Sequence, residues 1–194
     1  VIDSETGIWS LEEAKQSHFF DEALAAAIVK HVEAFYGGAP TSTADLGCGK
    51  GYYVEHLRNV GWDSVYGFEG TPNIGNISVI EGIKEVDLGK PLPFILKYEF
   101  TLSLELGEHV PRQHEQQLLD NIALFAQDTL LLSWAVPGQA GVGHVNCRTN
   151  DYIIEQMTKR GFEFDIDTSL KLRKASTLPW FANTLMWFDR RISG

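Results

Sequence analysis

Thr43-Ala44-Asp45-Leu46-Gly47-Cys48-Gly49-Lys50-Gly51 is the stretch from which the rest of this chain can be read. A short strand runs into a turn with glycine at every second position, and Tyr52 to Asn59 then reads as a helix that Gly61 ends. Glycine lets the backbone turn tightly and lets a ligand approach the main chain. In open α/β sheets the binding crevice lies at the carboxyl ends of the strands. Position and composition together therefore point to a nucleotide-like ligand. Spacing narrows the choice. A dinucleotide fingerprint needs G-x-G-x-x-G, but Tyr52 stands at the third glycine position and Gly51 comes one residue early. A phosphate-cradling loop needs G-x-x-x-x-G-K followed by Ser or Thr, and that is absent. Asp45 precedes the first glycine by two residues, and a carboxylate aimed into the crevice suits a cationic amino group better than a pyrophosphate.

Outward from this stretch, strand and helix signals alternate, as expected of an α/β sheet with helices on both faces. Phe20, Leu24, Ala27, Ile28 and Phe35 recur at helical spacing over 17–36, and Gly37-Gly38 and Pro40 stop that helix. Residues 64–68 read as a second strand, 83–86 as a short third and 100–106 as a central one. A helix is expected over 113–126, with Leu118, Leu119, Ile122 and Phe125 on one face. The apolar run 129–134 reads as a strand buried on both sides. A helix over 149–160 follows, closed by Gly161, and the last two strands are placed at 162–172 and 183–191, pairing antiparallel. Between the last central strand and its helix, 136–148 is a glycine-rich loop of the kind that carries function.

The bulk numbers exclude several classes. The 194 residues, 44% hydrophobic and 22% charged, fit one globular domain, 1–194, with 1–40 as an N-terminal helical lid segment. No apolar run approaches the ~18 residues that span a bilayer. The net charge of −10 works against phosphate binding, which relies on Lys and Arg. The short basic clusters Lys171/Arg173/Lys174 and Arg190/Arg191 read as solvated surface. Cys48 and Cys147 are too few for a disulfide framework and read as reduced cytoplasmic thiols. The chain starts at Val1 rather than Met, which reads as a trimmed or processed end, and Val1–Glu5 has no signal-peptide pattern.

The pattern D-x-G-x-G-x-G after a first strand resembles the signature of class I S-adenosylmethionine-dependent methyltransferases, and the resemblance extends over roughly 43–191. It implies a Rossmann-like α/β fold of about seven strands, mostly parallel with the last antiparallel. It implies that Asp45, Gly47, Cys48 and Gly49 meet the methyl donor. An acidic residue ending the second strand holds the ribose in such proteins; in Tyr66-Gly67-Phe68-Glu69-Gly70 that is Glu69, 20 residues after Gly49, with Gly70 beside it. Val86-Asp87-Leu88 resembles the segment beside the adenine, so Asp87 and Leu88 are expected there, and Leu104 at the end of the fourth strand.

Leu104-Glu105-Leu106-Gly107-Glu108-His109-Val110-Pro111 follows that strand. His109 is the candidate general base, with Glu108 beside it, because an imidazole titrates near neutrality. The E-x-x-E-H pattern is also similar to the metal-binding segment of small-RNA 2′-O-methyltransferases and ubiquinone-pathway O-methyltransferases. That resemblance implies Glu105, Glu108, His109 and the downstream His144 around Mg²⁺, Mn²⁺ or Zn²⁺. Gln139, His144 and Asn146, on the glycine-rich loop, are the expected contacts for a small polar acceptor. Trp9, His18 and Phe19 are candidates for a cover over the donor, and Thr177 to Phe181 for a pocket wall. The expected activity is methyl transfer to a small molecule at oxygen. The rivals are a non-catalytic donor-binding subunit, an RNA-end 2′-O-methyltransferase and a nicotinamide oxidoreductase.

Overall fold

A computed structural model describes residues 1–94 and 96–191. Seven strands form one sheet in the order β3-β2-β1-β4-β5-β7-β6. They are β1 (Thr43–Leu46), β2 (Val65–Glu69), β3 (Lys84–Glu85), β4 (Tyr98–Ser103), β5 (Ala126–Leu132), β6 (Phe162–Asp165) and β7 (Met186–Arg190). Strands β1 to β5 run parallel, and β7 runs antiparallel to both β5 and β6. The expected mixed sheet with an antiparallel last strand is what forms. Strand order reverses between β1 and β4, so a crevice opens at their carboxyl ends.

The helices are α1 (Leu11–Ser17), α2 (Glu22–Tyr36), α3 (Tyr52–Asn59), α4 (Glu115–Phe125), α5 (Asn150–Lys159), α6 (Ile166–Ala175) and α7 (Phe181–Thr184). Each face of the sheet carries its own core. Leu118, Ile122 and Phe125 of α4 and Met157 of α5 pack with Leu46, Phe68, Leu130 and Leu132. Leu24, Ile28 and Val32 of α2, Val54 and Leu57 of α3 and Leu172 of α6 pack with Leu102, Leu131 and Trp187 on the other. Leu130, Leu131 and Leu132 thus alternate between the two cores and are all fully buried, which explains the unbroken apolar run. Among the described residues, no helix is long and apolar enough to cross a membrane.

Three expectations need correction. The helix expected over 17–36 starts only at Glu22, and a separate helix, α1, ends at Ser17. Ser10 caps α1 by accepting from Glu13 N, and the chain extends at His18 before Asp21 caps α2 by accepting from Leu24 N at 2.9 Å. The capping carboxylate overrides the apolar spacing that Phe20 and Leu24 share. The strand over 162–172 stops after four residues. Its alternation persists, but Asp165 accepts from both Thr168 N and Thr168 Oγ1 and starts α6 instead. The stretch 183–191 begins inside α7 and becomes β7 only at Met186.

Asp21 does more than cap α2. Its carboxylate also accepts from the Ser176 hydroxyl and from Thr177 N, Thr177 Oγ1 and Leu178 N, all within 3.0 Å. The group is 1% exposed. Burial would raise its pKa, but these hydrogen bonds outweigh that and hold it at about 2. A carboxylate depressed by the fold stabilises it above its unfolded pKa, and that stability is lost as pH falls through the folded pKa. Asp21→Ala should therefore lower unfolding free energy in urea at neutral pH by about 2 kcal/mol or more. The variant should also lack the part of the wild-type decline that falls between about pH 4 and the folded value.

Candidate active site

The turn after β1 is pinned to the end of β2. Gly47 N and Cys48 N both donate to the Phe68 carbonyl, at 2.8 and 3.0 Å. Gly49 N donates to Glu69 Oε2 at 2.9 Å, and Glu69 Oε1 accepts from Thr71 N and its hydroxyl. Cys48 Sγ lies where a side chain on Gly67 would stand, which explains the glycine in β2. Gly49 adopts φ +55°, and a Cβ there would fall 2.8 Å from the His18 ring. Two requirements, backbone sign and close approach, thus coincide at one residue.

A cavity of about 550 Å³ opens over this turn, within the size range of small-ligand sites. All nine residues expected to meet a donor line it: Asp45, Gly47, Cys48, Gly49, Glu69, Gly70, Asp87, Leu88 and Leu104. Asp45 is 3% exposed, and its Oδ2 is buried without a hydrogen-bond partner. Burial, reinforced by the nearby Glu69 charge, pushes Asp45 up to about 7. Asp87 is turned by its own backbone, accepting from Gly89 N, and pairs with Lys90.

The cover comes from the N-terminus. An antiparallel bridge joins Ile2 to Trp9, and Asp3 Oδ1 accepts from Glu5 N and Thr6 N, folding the segment into a tight turn. Gly7 sits directly on the His109 carbonyl with no room for a side chain. Trp9 stacks on His18, 5.6 Å between centroids, and meets His109 edge-on at 4.9 Å. Trp9, His18 and Phe19 all line the cavity, as do Leu178, Trp180 and Phe181. Phe19 is 66% exposed and edge-on to Trp180.

Beyond β4 the chain turns sharply. Glu105 holds φ +52°, uncommon for a residue with a side chain. Ser133 at the end of β5 secures it: Ser133 Oγ accepts from Glu105 N and donates to Glu105 Oε1, at 2.8 and 2.9 Å. Gln139 Nε2 donates to Glu105 Oε2. Ser133 was not among the expected site residues. The signal was there, a lone hydroxyl at the end of an apolar run, and its neighbour across the sheet could not be seen from sequence.

The next turn and the glycine-rich loop lie side by side because Val145 N and Asn146 N both donate to the Glu108 carbonyl. This brings the His109 and His144 rings to 5.2 Å. His109 Nδ1 faces the Gly143 carbonyl at 3.3 Å, and His144 Nδ1 faces the Gln139 carbonyl at 3.1 Å. A carbonyl only accepts, so in both rings Nδ1 carries a proton, and in a neutral ring Nε2 is then the acceptor. Burial, with His144 beside it, lowers His109 to about 4, so its ring is neutral at pH 7.

Glu108, His109 and His144 each place one ligand atom within 4.8 Å of the others. Glu108 is fully buried, neither carboxylate oxygen has a hydrogen-bond partner, and burial with Glu105 nearby raises its pKa well above the usual range. Two expectations shift here. Glu108 lies behind the cavity lining rather than in it, and Glu105 stands outside the three-residue cluster because Ser133 and Gln139 hold its oxygens. Gln139 and His144 line the cavity, but Asn146 does not. The Asn146 amide donates to Glu115, which also takes Arg148 and the Tyr152 hydroxyl, while the Asn146 carbonyl accepts from Trp134 Nε1. That buried network turns Asn146 away from the crevice.

No protein-family model and no curated protein matches the sequence. Solved structures do match in shape. An amino pentose methyltransferase from Micromonospora echinaspora, with bound S-adenosylmethionine, superposes with a TM-score of 0.67 at 12% identity, covering 92% of this chain and 94% of its own. The magnesium protoporphyrin IX methyltransferase of Synechocystis PCC 6803, also with bound S-adenosylmethionine, gives 0.62 at 18% identity, covering 87% and 78%. The cyclase SpnF gives 0.59 at 12% identity, covering 86% and 80%, so the shape does not by itself fix the reaction. The superpositions extend over most of each chain, and this chain has the fold of the class I S-adenosylmethionine-dependent methyltransferases.

Proposed function

We propose that this chain is an S-adenosylmethionine-dependent methyltransferase that acts on a small molecule, at oxygen. The observation that carries the reading is Asp45, a buried carboxylate with an unpartnered oxygen at the glycine turn. Keeping an acid there is costly without a partner, and the donor's ammonium is a group that would complete it. Glu69 suits the ribose hydroxyls and Asp87 and Leu88 the adenine side, with Gly47, Cys48, Gly49, Gly70 and Leu104 forming the floor. The segment 1–20 is proposed as the lid. When bound, the donor supplies an activated methyl group on a sulfonium sulfur. The protein's share is alignment and exclusion of water. With Nδ1 committed to the Gly143 carbonyl, Nε2 of His109 is the proposed base that takes the acceptor's proton as the new bond to oxygen forms. Gln139 and His144 are the proposed acceptor contacts.

A second reading adds a divalent ion. The residues fit it: Glu108 offers two unpartnered oxygens, and His109 and His144 present Nε2 with Nδ1 already committed to carbonyls. An ion held there would lower the pKa of the acceptor hydroxyl.

Asp45→Asn separates stability from binding. A buried acid whose pKa is raised by the fold weakens it as pH climbs from the unfolded to the folded value. The unliganded variant should melt higher than wild type at pH 8, with a shallower decline between about pH 4 and the folded value of about 7. Its affinity for S-adenosylmethionine by calorimetry should fall, and equal or tighter binding would refute the pairing with the ammonium. Glu69→Ala should weaken binding by about tenfold or more with the fold intact by circular dichroism. For the ion, Mn²⁺ binding followed by paramagnetic resonance should be present in wild type and lost in Glu108→Gln and in His144→Ala. Absence of Mn²⁺ binding in wild type, with methyl transfer surviving chelation, would leave His109 as base alone.

A further inference from the structure

We infer that the acceptor is a flat, ring-bearing molecule, neutral or cationic, and that acceptors bearing a carboxylate, phosphate or sulfonate are refused; this rests on the methyl-transfer reading above. The first support is the charge of the cavity. Its lining contains Glu13, Asp45, Glu69, Asp87 and Glu105 and, among the described residues, no Lys or Arg. Asp45, Glu69 and Asp87 lie at the donor end, and the donor itself brings a net positive charge. At the acceptor end Glu105 stays in place, its oxygens fixed by Ser133 and Gln139. An anion entering here would meet the fixed Glu105 in a partly dry space with, among the described residues, no lining lysine or arginine to offset it.

The second support is the wall. Trp9, Phe19 and Trp180 converge on the cavity from two separate parts of the chain. Phe19 and Trp180 form an edge-to-face pair at 5.5 Å, and Trp9 is oriented by its stack on His18. Val142, also in the lining, leaves 55% of its surface exposed, as Phe19 leaves 66%. Large apolar groups left open around a cavity mark a surface meant to be covered by a ligand. Aromatic faces favour flat rings, and with carboxylates nearby they also favour cations. Hydrogen bonding is available from Gln139 and His144, which suits a hydroxyl on that ring.

The test uses the full chain and matched sets of acceptors: phenol, catechol, naphthol and flavonoid cores, each beside a carboxylated, a phosphorylated and an aminoalkyl counterpart. Transfer of a radiolabelled methyl group from S-adenosylmethionine is measured with and without Mn²⁺. The expected result is labelling among neutral and aminoalkyl members, with carboxylated and phosphorylated partners lower by about a hundredfold or more. Gln16→Arg, at the exposed rim of α1, should then admit the carboxylated partners. Trp180→Ala should raise KM for the acceptor while leaving affinity for S-adenosylhomocysteine unchanged. Comparable labelling of an anionic partner would overturn the inference, as would labelling confined to acyclic acceptors or no labelling of any ring when S-adenosylhomocysteine binds. Failure of S-adenosylhomocysteine to bind at all would instead sink the methyl-transfer reading.

Discussion

The hydrogen bond from Gly49 N to the Glu69 carboxylate is the contact on which the crevice depends. It ties the turn after β1 to the tip of β2 and points the carboxyl ends of both strands at one cavity. The Phe68 carbonyl takes the two preceding amides. Together these bonds satisfy a run of backbone donors that no regular ladder could serve. They also fix Glu69, so its remaining capacity faces the cavity in a set direction. The His18 ring resting on Gly49 then connects this floor to the N-terminal cover.

The site concentrates features that work against stability. Asp45 and Glu108 are buried acids with unpartnered oxygens, and Glu105 holds a left-handed backbone. Such departures persist only where the surrounding structure over-determines them. Here the two apolar cores on either face of the sheet do that, along with Ser133 bridging the ends of β4 and β5. The reading of the cavity as a two-ended site, with donor acids on one side and aromatic walls on the other, follows from where these departures cluster.

That the residues read as donor contacts would line one cavity was legible from sequence because their signals are local. Asp45, Gly47 and Gly49 sit in one turn, and Glu69 is set by strand length alone. The acceptor end was legible only in part. His109 and His144 do meet, but their meeting depends on Val145 and Asn146 bonding to the Glu108 carbonyl, which no spacing announces. Asn146 falls outside the cavity lining for a similar reason: Glu115, 31 residues earlier, takes its side-chain amide. Two of the three fold errors share a cause. At Asp21 and Asp165 a side-chain cap ended one pattern and started another while the hydrophobic periodicity ran on.

The Asp21 carboxylate joins residues 155 to 157 positions apart, from the N-terminal cover to the segment that leads into Trp180. Long-range closures of this kind form late, because their loop entropy is lost before any contact rewards it. During synthesis the glycine turn and its strands emerge well before residues 176–178 do. The nascent chain therefore owns the glycine-turn crevice before Trp180 can wall it, and the aromatic lining is completed only when the last helix and strand arrive.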